Sequence, residues 1–455
     1  MDPFGRLPWF ALRDVLSQLP DLPTLHALSL ASPAMAAFLR EDGSFSNIVE
    51  SIISNPQREK GLYVPIQWFV RAIVLVWWRK QSIISSKERT EGRGKCHERG
   101  PISRYRHHHR DENPLTRSFP NLMDCLKYNP RDKIIIPPST RTLRGTQEPL
   151  PRNVPPAVLC RLLKVSTRVH QITHAFFHAM IRNCMNATNM KHLPPDQDPD
   201  DGNGRFWCKT SYWCDGPVVE PSRRPRGIRH KPYDIGAPTW FEEQRLLYTV
   251  WRIVLFFVLQ DGIDSVPDLF LMPDRKVHFL SPKSEDIARF WLKEGNSSGI
   301  QMEQLRCVLS WLDNQAGGED KIKSWIFSAS LPDSLGYCCP KYTAVSKQQW
   351  DSFEKEPVKM LYSPGYSYIQ GCLLHSRSSP LVGARSSFWY RYGVVFWDSA
   401  RLSALGFPGL HEGAEAMWFA WSSVLKEDEW ETVIKVQRQR YDHERSRLET
   451  FPRRR

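Results

Sequence analysis

Residues 4–53 read FGRLPWFALRDVLSQLPDLPTLHALSLASPAMAAFLREDGSFSNIVESII, and their apolar spacing decides the fold class. Leu12, Val15, Leu16 and Leu19 recur at i, i+3, i+4 and i+7, the stripe of a 3.6-residue helix. Pro8 suits the first turn of that helix, where the N–H it lacks would have no partner, and Pro20 stops it. Asp21 opens a second helix, with Pro23 in its first turn and Leu25 and Leu28 on one side. Ser32-Pro33 is a cap followed by an N1 proline, Met35, Phe38 and Leu39 form the third face, and Asp42-Gly43 ends it. Chains below about 40 residues seldom fold without a partner, a metal or disulfides. A Leu-rich triplet of short helices therefore reads as half of an interface.

The triplet resembles the F-box, in the variant carried by large families of fungal F-box proteins. Leu7-Pro8, Val15-Leu16, Leu19-Pro20, the run from Leu22 to Leu30 and Ser32-Pro33-Ala34 carry the resemblance. The chain departs from the pattern at Phe10, where an acidic residue is usual, and at Ala36-Ala37-Phe38, which replaces a Cys-Lys-Arg-Trp-like ending. The resemblance implies a non-catalytic adaptor, the substrate-recognition subunit of an SCF-type cullin–RING ubiquitin ligase. Its N-terminal helices would dock a Skp-type adaptor, and through it a cullin scaffold, while the rest of the chain recruits a protein substrate. The implied docking residues are Leu7, Pro8, Leu12, Val15, Leu16, Leu19, Leu22, Leu25, Leu28 and Phe38, some of which must instead hold the triplet together. No cofactor and no metal are implied.

Composition sets the outer bounds. The 455 residues allow two or three domains at about 150 residues each. With 17 Trp and 22 Phe the chain can fill a core, while 35 Pro mark long irregular connections. A net charge of +13 favours acidic partners without choosing among nucleic acid, acidic peptide and membrane surface. The ten Cys follow no framework spacing, and the N-terminus lacks a basic and then apolar leader, so a cytoplasmic or nuclear location is expected. The apolar runs 62–78 and 246–259 contain Gln67, Arg71 and Arg252. A span needs about 20 mostly apolar residues, so both runs read as buried helices and no membrane partner is expected.

The expected architecture is mainly α, a three-helix F-box followed by a larger, mostly helical domain with long irregular loops. Residues 1–55 form the F-box domain, 56–80 a helical extension, 81–155 a basic and Pro-rich flexible segment, and 156–450 a helical C-terminal domain of unknown ligand. Residues 79–117 hold eleven Lys/Arg against five Asp/Glu, too polar to bury a core, and read as a basic loop. The alternative function, a basic nucleic-acid-associated protein without a ligase role, would use this stretch and the C-terminal Arg453-Arg454-Arg455, although only Tyr105 supplies a stacking surface in the stretch. A helix is predicted over 158–180 and a long surface excursion over 196–238. Thr239-x-x-Glu242 is a capping box. It opens a helix that is apolar nearly all round after Leu246 and ends at Asp261-Gly262, a central core helix. Further helices are predicted at 284–293 and 300–314. Residues 390–398 read as a short strand leading into a helix capped by Asp398 and closed by Gly406, and 413–447 as one long amphipathic helix. Three motifs are similar to C-terminal regions of the same fungal proteins: Glu242-Glu243-Gln244-Arg245, the run from Leu305 to Leu312, and Phe396-Trp397-Asp398 with Arg401 and Leu405-Gly406-Phe407. No leucine-rich, WD or kelch repeat is present in the sequence.

Catalytic patterns are incomplete. His170, His174 and His178 share one helical stripe, and i, i+4 histidines can share a metal, which would suit a hydrolase or metalloenzyme. Gln171 stands where a zinc-protease helix has Glu, so the stripe reads as a polar face. Cys208 with Cys214, and Cys338-Cys339, are not CxxC pairs, and His107-His108-His109 lies in the basic loop. Ser367 lacks the second Gly of a nucleophile elbow. The stretch Gly92-Arg93-Gly94-Lys95-Cys96 fails the phosphate-loop pattern at Arg89 and Cys96.

Overall fold

A computed structural model describes residues 2–41, 43–55, 61–93, 127–129, 134–136, 149–187, 190–192, 228–265, 283–292, 299–327, 345, 347–356, 360–374, 379, 381, 383–409, 411 and 413–450. The protein is mainly α, with strands among the described residues confined to two short antiparallel pairs. The chain divides into two units, each assembled from separate stretches of sequence rather than from consecutive segments.

The first unit comprises Met1–Thr173, Leu247–Ser298 and Leu312–Tyr337. It begins with α1 (Trp9–Ser17), α2 (Leu22–Ala31), α3 (Pro33–Glu41) and α4 (Phe45–Ile53). Asp21 caps α2 by accepting from the Thr24 N–H at 2.7 Å, and the Ser32 hydroxyl accepts from the Met35 N–H at 3.1 Å. Helix α4 buries Phe45, Ile48, Val49, Ile52 and Ile53; Asn47 lies inside it, and Ser44 holds the N-cap position. Helix α5 (Val64–Arg93) starts beside Pro65 and buries Ile66, Phe69, Val70, Ile73 and Trp77. The basic loop expected from residue 79 is corrected here, because α5 continues through Arg93. Its last turns are rich in Lys, Arg and Glu, straight-chain residues that lose little rotamer freedom in a helix. Low hydrophobicity there removes core packing without removing helix propensity.

The unit continues with β1 (Lys127–Asn129) paired to β2 (Ile134–Ile136), the first half of α6 (Pro156–Met185), most of α7 (Trp240–Ser265), α8 (Ser284–Leu292), the end of α9 (Gly299–Ala316) and α10 (Ile322–Phe327). Phe69 meets Tyr248 at 5.3 Å and Trp291 at 5.8 Å between ring centroids, and Phe256 meets Phe290 at 5.3 Å. The buried Arg252 lays its guanidinium over Trp291 at 4.4 Å, a cation–π placement suited to a charge away from water. Glu50 ties three stretches together. Its carboxylate accepts from both Arg71 Nε (3.2 Å) and Nη2, from the Ser54 hydroxyl, and from the Leu150 N–H at 3.0 Å. The apolar runs read as buried helices are buried in α5 and α7, and no single helix among the described residues is long and apolar enough to cross a membrane.

The second unit comprises His174–Leu246, Gly299–Trp311 and Cys338–Arg455. Besides its shares of α6, α7 and α9 it holds β3 (Lys191–His192) paired with β4 (Ile228–Arg229), α11 (Lys347–Lys355), α12 (Pro364–Ser367), α13 (Ser399–Leu405), α14 (Ala414–Ser423) and α15 (Glu427–Thr450). Its core is aromatic. Phe176 stands edge-on to Trp311 (5.5 Å) and Phe396 (5.4 Å), and Trp421 meets Trp389 (5.8 Å) and Phe407 (5.0 Å). Four indole N–H groups donate to main-chain carbonyls: Trp389 to Trp421, Trp397 to Tyr392, Trp418 to Cys372 and Trp421 to Pro408. Such a bond satisfies the one donor of a tryptophan ring placed in an apolar core.

Two expectations are corrected in this unit. Residues 386–396 form two 3-10 turns, Ser386–Tyr392 and Val394–Phe396, split by Gly393 in the left-handed region, and not a strand. The run Val394-Val395-Phe396 is buried throughout, and an apolar run without alternation does not reveal its own period. The single helix expected over 413–447 is two helices. Glu429 reaches back to the Lys426 N–H at 2.7 Å and starts α15 afresh.

Gly406 closes α13 with φ +90°, and a Cβ there would collide with Met190 and His230. Gly406→Ala is expected to destabilise the second unit by more than about 1 kcal/mol, through left-handed strain and the clash together. Urea denaturation followed by near-UV circular dichroism checks it; an unchanged midpoint would mean that the backbone relaxes freely.

Candidate functional site

The N-terminal helices present the residues implied for docking, and the fold sorts them. The Asp2 carboxylate accepts from the Ala34 N–H (3.0 Å), the Ser32 hydroxyl (2.7 Å) and the Phe4 N–H (3.0 Å). These bonds fasten the residues ahead of α1 to the start of α3. The Ala34 N–H first, and then the Ser32 hydroxyl, hold the Asp2 carboxyl below its usual range. Leu12 and Leu16 of α1, Leu22 and Leu25 of α2, and Phe38 of α3 are buried. Leu19 and Leu28 are half-buried, whereas Leu7, Pro8 and Val15 are exposed.

Three further apolar side chains stand in solvent that the Leu spacing does not mark. Trp9 is 58% exposed, Leu30 is 74% exposed, and Phe10 is exposed beside Trp9. The Trp9 and Phe10 rings meet edge to face at 6.3 Å, and the Arg13 guanidinium lies 5.4 Å over Trp9. Periodicity names the stripe that a helix buries; it is silent on apolar residues off the stripe. The sequence signal for these three is an aromatic or Leu at positions the helical wheel sends outward.

The second unit contains a dense polar cluster built from two of the C-terminal motifs. Thr239 and Glu242 form the capping box, with the Thr239 hydroxyl accepting from the Glu242 N–H (3.1 Å) and the Glu242 carboxylate accepting from the Thr239 N–H (2.9 Å). The same carboxylate accepts from Arg401 Nε on both oxygens at 3.0 Å, and from the Asp398 N–H at 3.0 Å. Arg401 also donates to the Gly236 and Ala237 carbonyls, and Arg245 donates to Asp398 (2.7 Å) and to the Met360 and Phe396 carbonyls. Asp398 occupies the N-cap position of α13, yet its side chain makes no cap bond there and instead receives Arg245 and the Thr239 hydroxyl. Burial, and then the Asp398 charge, push the Glu242 carboxyl up, against the pull of Arg401. Two carboxylates and two guanidinium groups bind each other and the main chain, so the cluster cross-links segments distant in sequence.

His174 lies 2.8 Å from Glu243 Oε1, and the His178 ring follows at 6.3 Å, its pKa lowered by burial and then by His174. His170 sits one turn earlier on α6. Cys184 and Cys307 are buried, which pushes their thiols up, the opposite of what a nucleophile needs. Ser367 lies in α12 with its hydroxyl donating to the Ser363 carbonyl at 3.3 Å. His107-His108-His109, the Cys208, Cys214, Cys338 and Cys339 positions, Lys95-Cys96, the remainder of the basic stretch from residue 94 and Arg453-Arg454-Arg455 lie outside the described residues. No family model, curated protein or solved structure matches the chain.

Proposed function

We propose that the chain is an F-box adaptor whose N-terminal helices dock a Skp-type adaptor of an SCF-type cullin–RING ubiquitin ligase in the cytoplasm or nucleus. The observation that carries this reading is the set of apolar side chains left in solvent on the N-terminal helices: Leu7, Trp9, Phe10, Val15 and Leu30. Among these side chains the Trp9 and Phe10 rings adjoin each other, and aromatic side chains supply the anchors of most interfaces. The buried leucines behind them give that surface a fixed backing. The rest of the chain recruits a protein substrate. The ligase then works by proximity, since holding a substrate lysine near a charged ubiquitin carrier raises its effective concentration. No residue of this chain performs bond chemistry in that scheme.

Co-purification with the host's Skp-type adaptor tests it, comparing wild type with Trp9→Ala/Phe10→Ala/Val15→Asp. All three residues are exposed, so circular dichroism is expected to match wild type. Binding is expected to fall about 30-fold or more, the loss that follows removal of interface anchors. Failure of the wild type to retain the adaptor sinks the proposal. A nucleic-acid complex that dissolves steeply with added salt would then favour the alternative reading, because phosphate contacts are salt-dependent and apolar docking is not.

A further inference from the structure

Three side chains of metal-ligating type meet at the first turn of α7. His170 and His174 stand one turn apart on α6, and Glu243 lies in the first turn of α7. One ligand atom from each comes within 4.8 Å of the other two. His174 Nε2 and Glu243 Oε1 are already 2.8 Å apart. His170 and Glu243 are buried, and the His174 side chain is 13% exposed. The geometry is local. Helix α6 runs unbroken over Pro156–Met185, so its own winding sets His170 beside His174, and His174 and Glu243 both belong to the second unit.

The stripe of three histidines therefore divides. The His178 ring lies 6.3 Å from that of His174, at a surface position outside the group that meets Glu243. The carboxylate that Gln171 does not supply comes from another helix, 69 positions on from His174. Glu242, next to Glu243, is committed to Arg401 and to the Thr239 and Asp398 N–H groups, which leaves Glu243 as the carboxylate of the group.

Two imidazoles and one carboxylate are a zinc ligand set, with a fourth tetrahedral position left for water. Ligand atoms about 2.0–2.2 Å from a tetrahedral ion stand roughly 3.4 Å from one another. The His174–Glu243 pair has to open by about 0.6 Å, and the widest separation has to close by about 1.4 Å at most. The last torsions of His and Glu side chains have broad minima, and small turns about them cover both changes. All three residues make other contacts as well. A carboxylate has about four acceptor positions and an imidazole two ring nitrogens, so each residue can give one lone pair to an ion and keep a further bond. Such outer bonds orient metal ligands.

We infer that His170, His174 and Glu243 form a zinc site. The ion takes the place of the proton between His174 and Glu243, and both imidazoles ligate in the neutral form. It clips α6 to the start of α7 and asks nothing of the N-terminal helices.

The full chain, stripped of metal by a chelator and then exchanged into metal-free buffer, is titrated with Zn²⁺ against a chromophoric chelator and, separately, with Co²⁺ by visible absorption. Wild type is expected to bind Zn²⁺ and to melt at a higher temperature with it, since an ion held by the folded state alone stabilises that state. The Co²⁺ form is expected to show d–d bands without a thiolate charge-transfer band, which separates this site from the cysteines of the chain. His174→Gln and Glu243→Gln are each expected to weaken one equivalent of Zn²⁺ binding by about 100-fold or more, at or beyond the loss that follows a change in an outer-shell partner. His178→Gln is expected to change nothing. Far-UV circular dichroism reports the fold of each variant; where Glu243→Gln does not fold, His174→Gln and the wild-type Co²⁺ spectrum decide. The inference is overturned if wild type takes up no Zn²⁺ or gains no thermal stability from it, if thiolate bands account for the whole Co²⁺ spectrum, if His174→Gln and Glu243→Gln bind like wild type, or if His178→Gln lowers the affinity as far as His174→Gln does.

Discussion

Arg401→Met is expected to destabilise the second unit by about 3–5 kcal/mol, the usual consequence of removing one partner from a buried ion pair. Glu242 has no exposed surface, and Arg401 supplies its only guanidinium contact among the described residues. The substitution also removes the Arg401 hydrogen bonds to the Gly236 and Ala237 carbonyls and strips the cation from the face of Phe177, 4.8 Å away. Methionine fills much of the volume, so the deficit measures charge and hydrogen bonding rather than a cavity. In Arg401→Met the Glu242 carboxyl, already pushed up by burial and Asp398, loses the group that opposed the rise. A carboxyl raised in the folded state contributes stability below its unfolded value and loses it as pH rises through the folded value. The deficit should therefore be smaller in mild acid than at neutral pH. Adding Glu242→Gln should return part of the loss, and the double-mutant cycle gives the coupling. Urea titrations of the four variants check this; a deficit under about 1 kcal/mol for Arg401→Met would show that the cluster is not a keystone.

Glu50→Gln is expected to have a comparable effect on the first unit, about 3 kcal/mol or more, because it leaves the buried Arg71 guanidinium without its counter-charge. Burial alone would raise the Glu50 carboxyl, but the Arg71 and Ser54 hydrogen bonds, the Arg71 charge and the Leu150 N–H outweigh it and bring it below its ordinary value. A carboxyl lowered in the folded state contributes stability above its unfolded value, near pH 4.5, and loses it as pH falls through the folded value. Wild type is expected to lose stability below about pH 4.5, and Glu50→Gln to lose less, since it has no such proton to take up. Other acids, Asp261 and Asp2 among them, are lowered as well, so the difference in slope between the two proteins is the quantity to read. Identical slopes from pH 3 to pH 6 would remove Glu50 from the acid response.

Local patterns were legible and distant pairings were not. The capping box at Thr239 is a four-residue pattern, and its two reciprocal bonds form. The partner that gives Glu242 its structural weight, Arg401, lies 159 positions away, and no periodicity points to it. Likewise Leu12 and Leu16 were legible as an inward stripe, while the outward Trp9, Phe10 and Leu30 were not. A spacing rule reports what a helix hides and leaves unsaid what it offers. The helix α5 continues to Arg93 through a polar stretch, because straight-chain charged residues favour helix as long as they need not be buried.

The division of α6, α7 and α9 between the two units bears on how the gene can be cut. No stretch of chain holds the second unit whole without also carrying pieces of the first, and the shortest stretch that holds the whole first unit carries pieces of the second. A stop codon before position 337 removes residues from both units. Early nonsense alleles should therefore behave as complete losses, and point substitutions, rather than deletion series, are the way to separate what each part of the protein does.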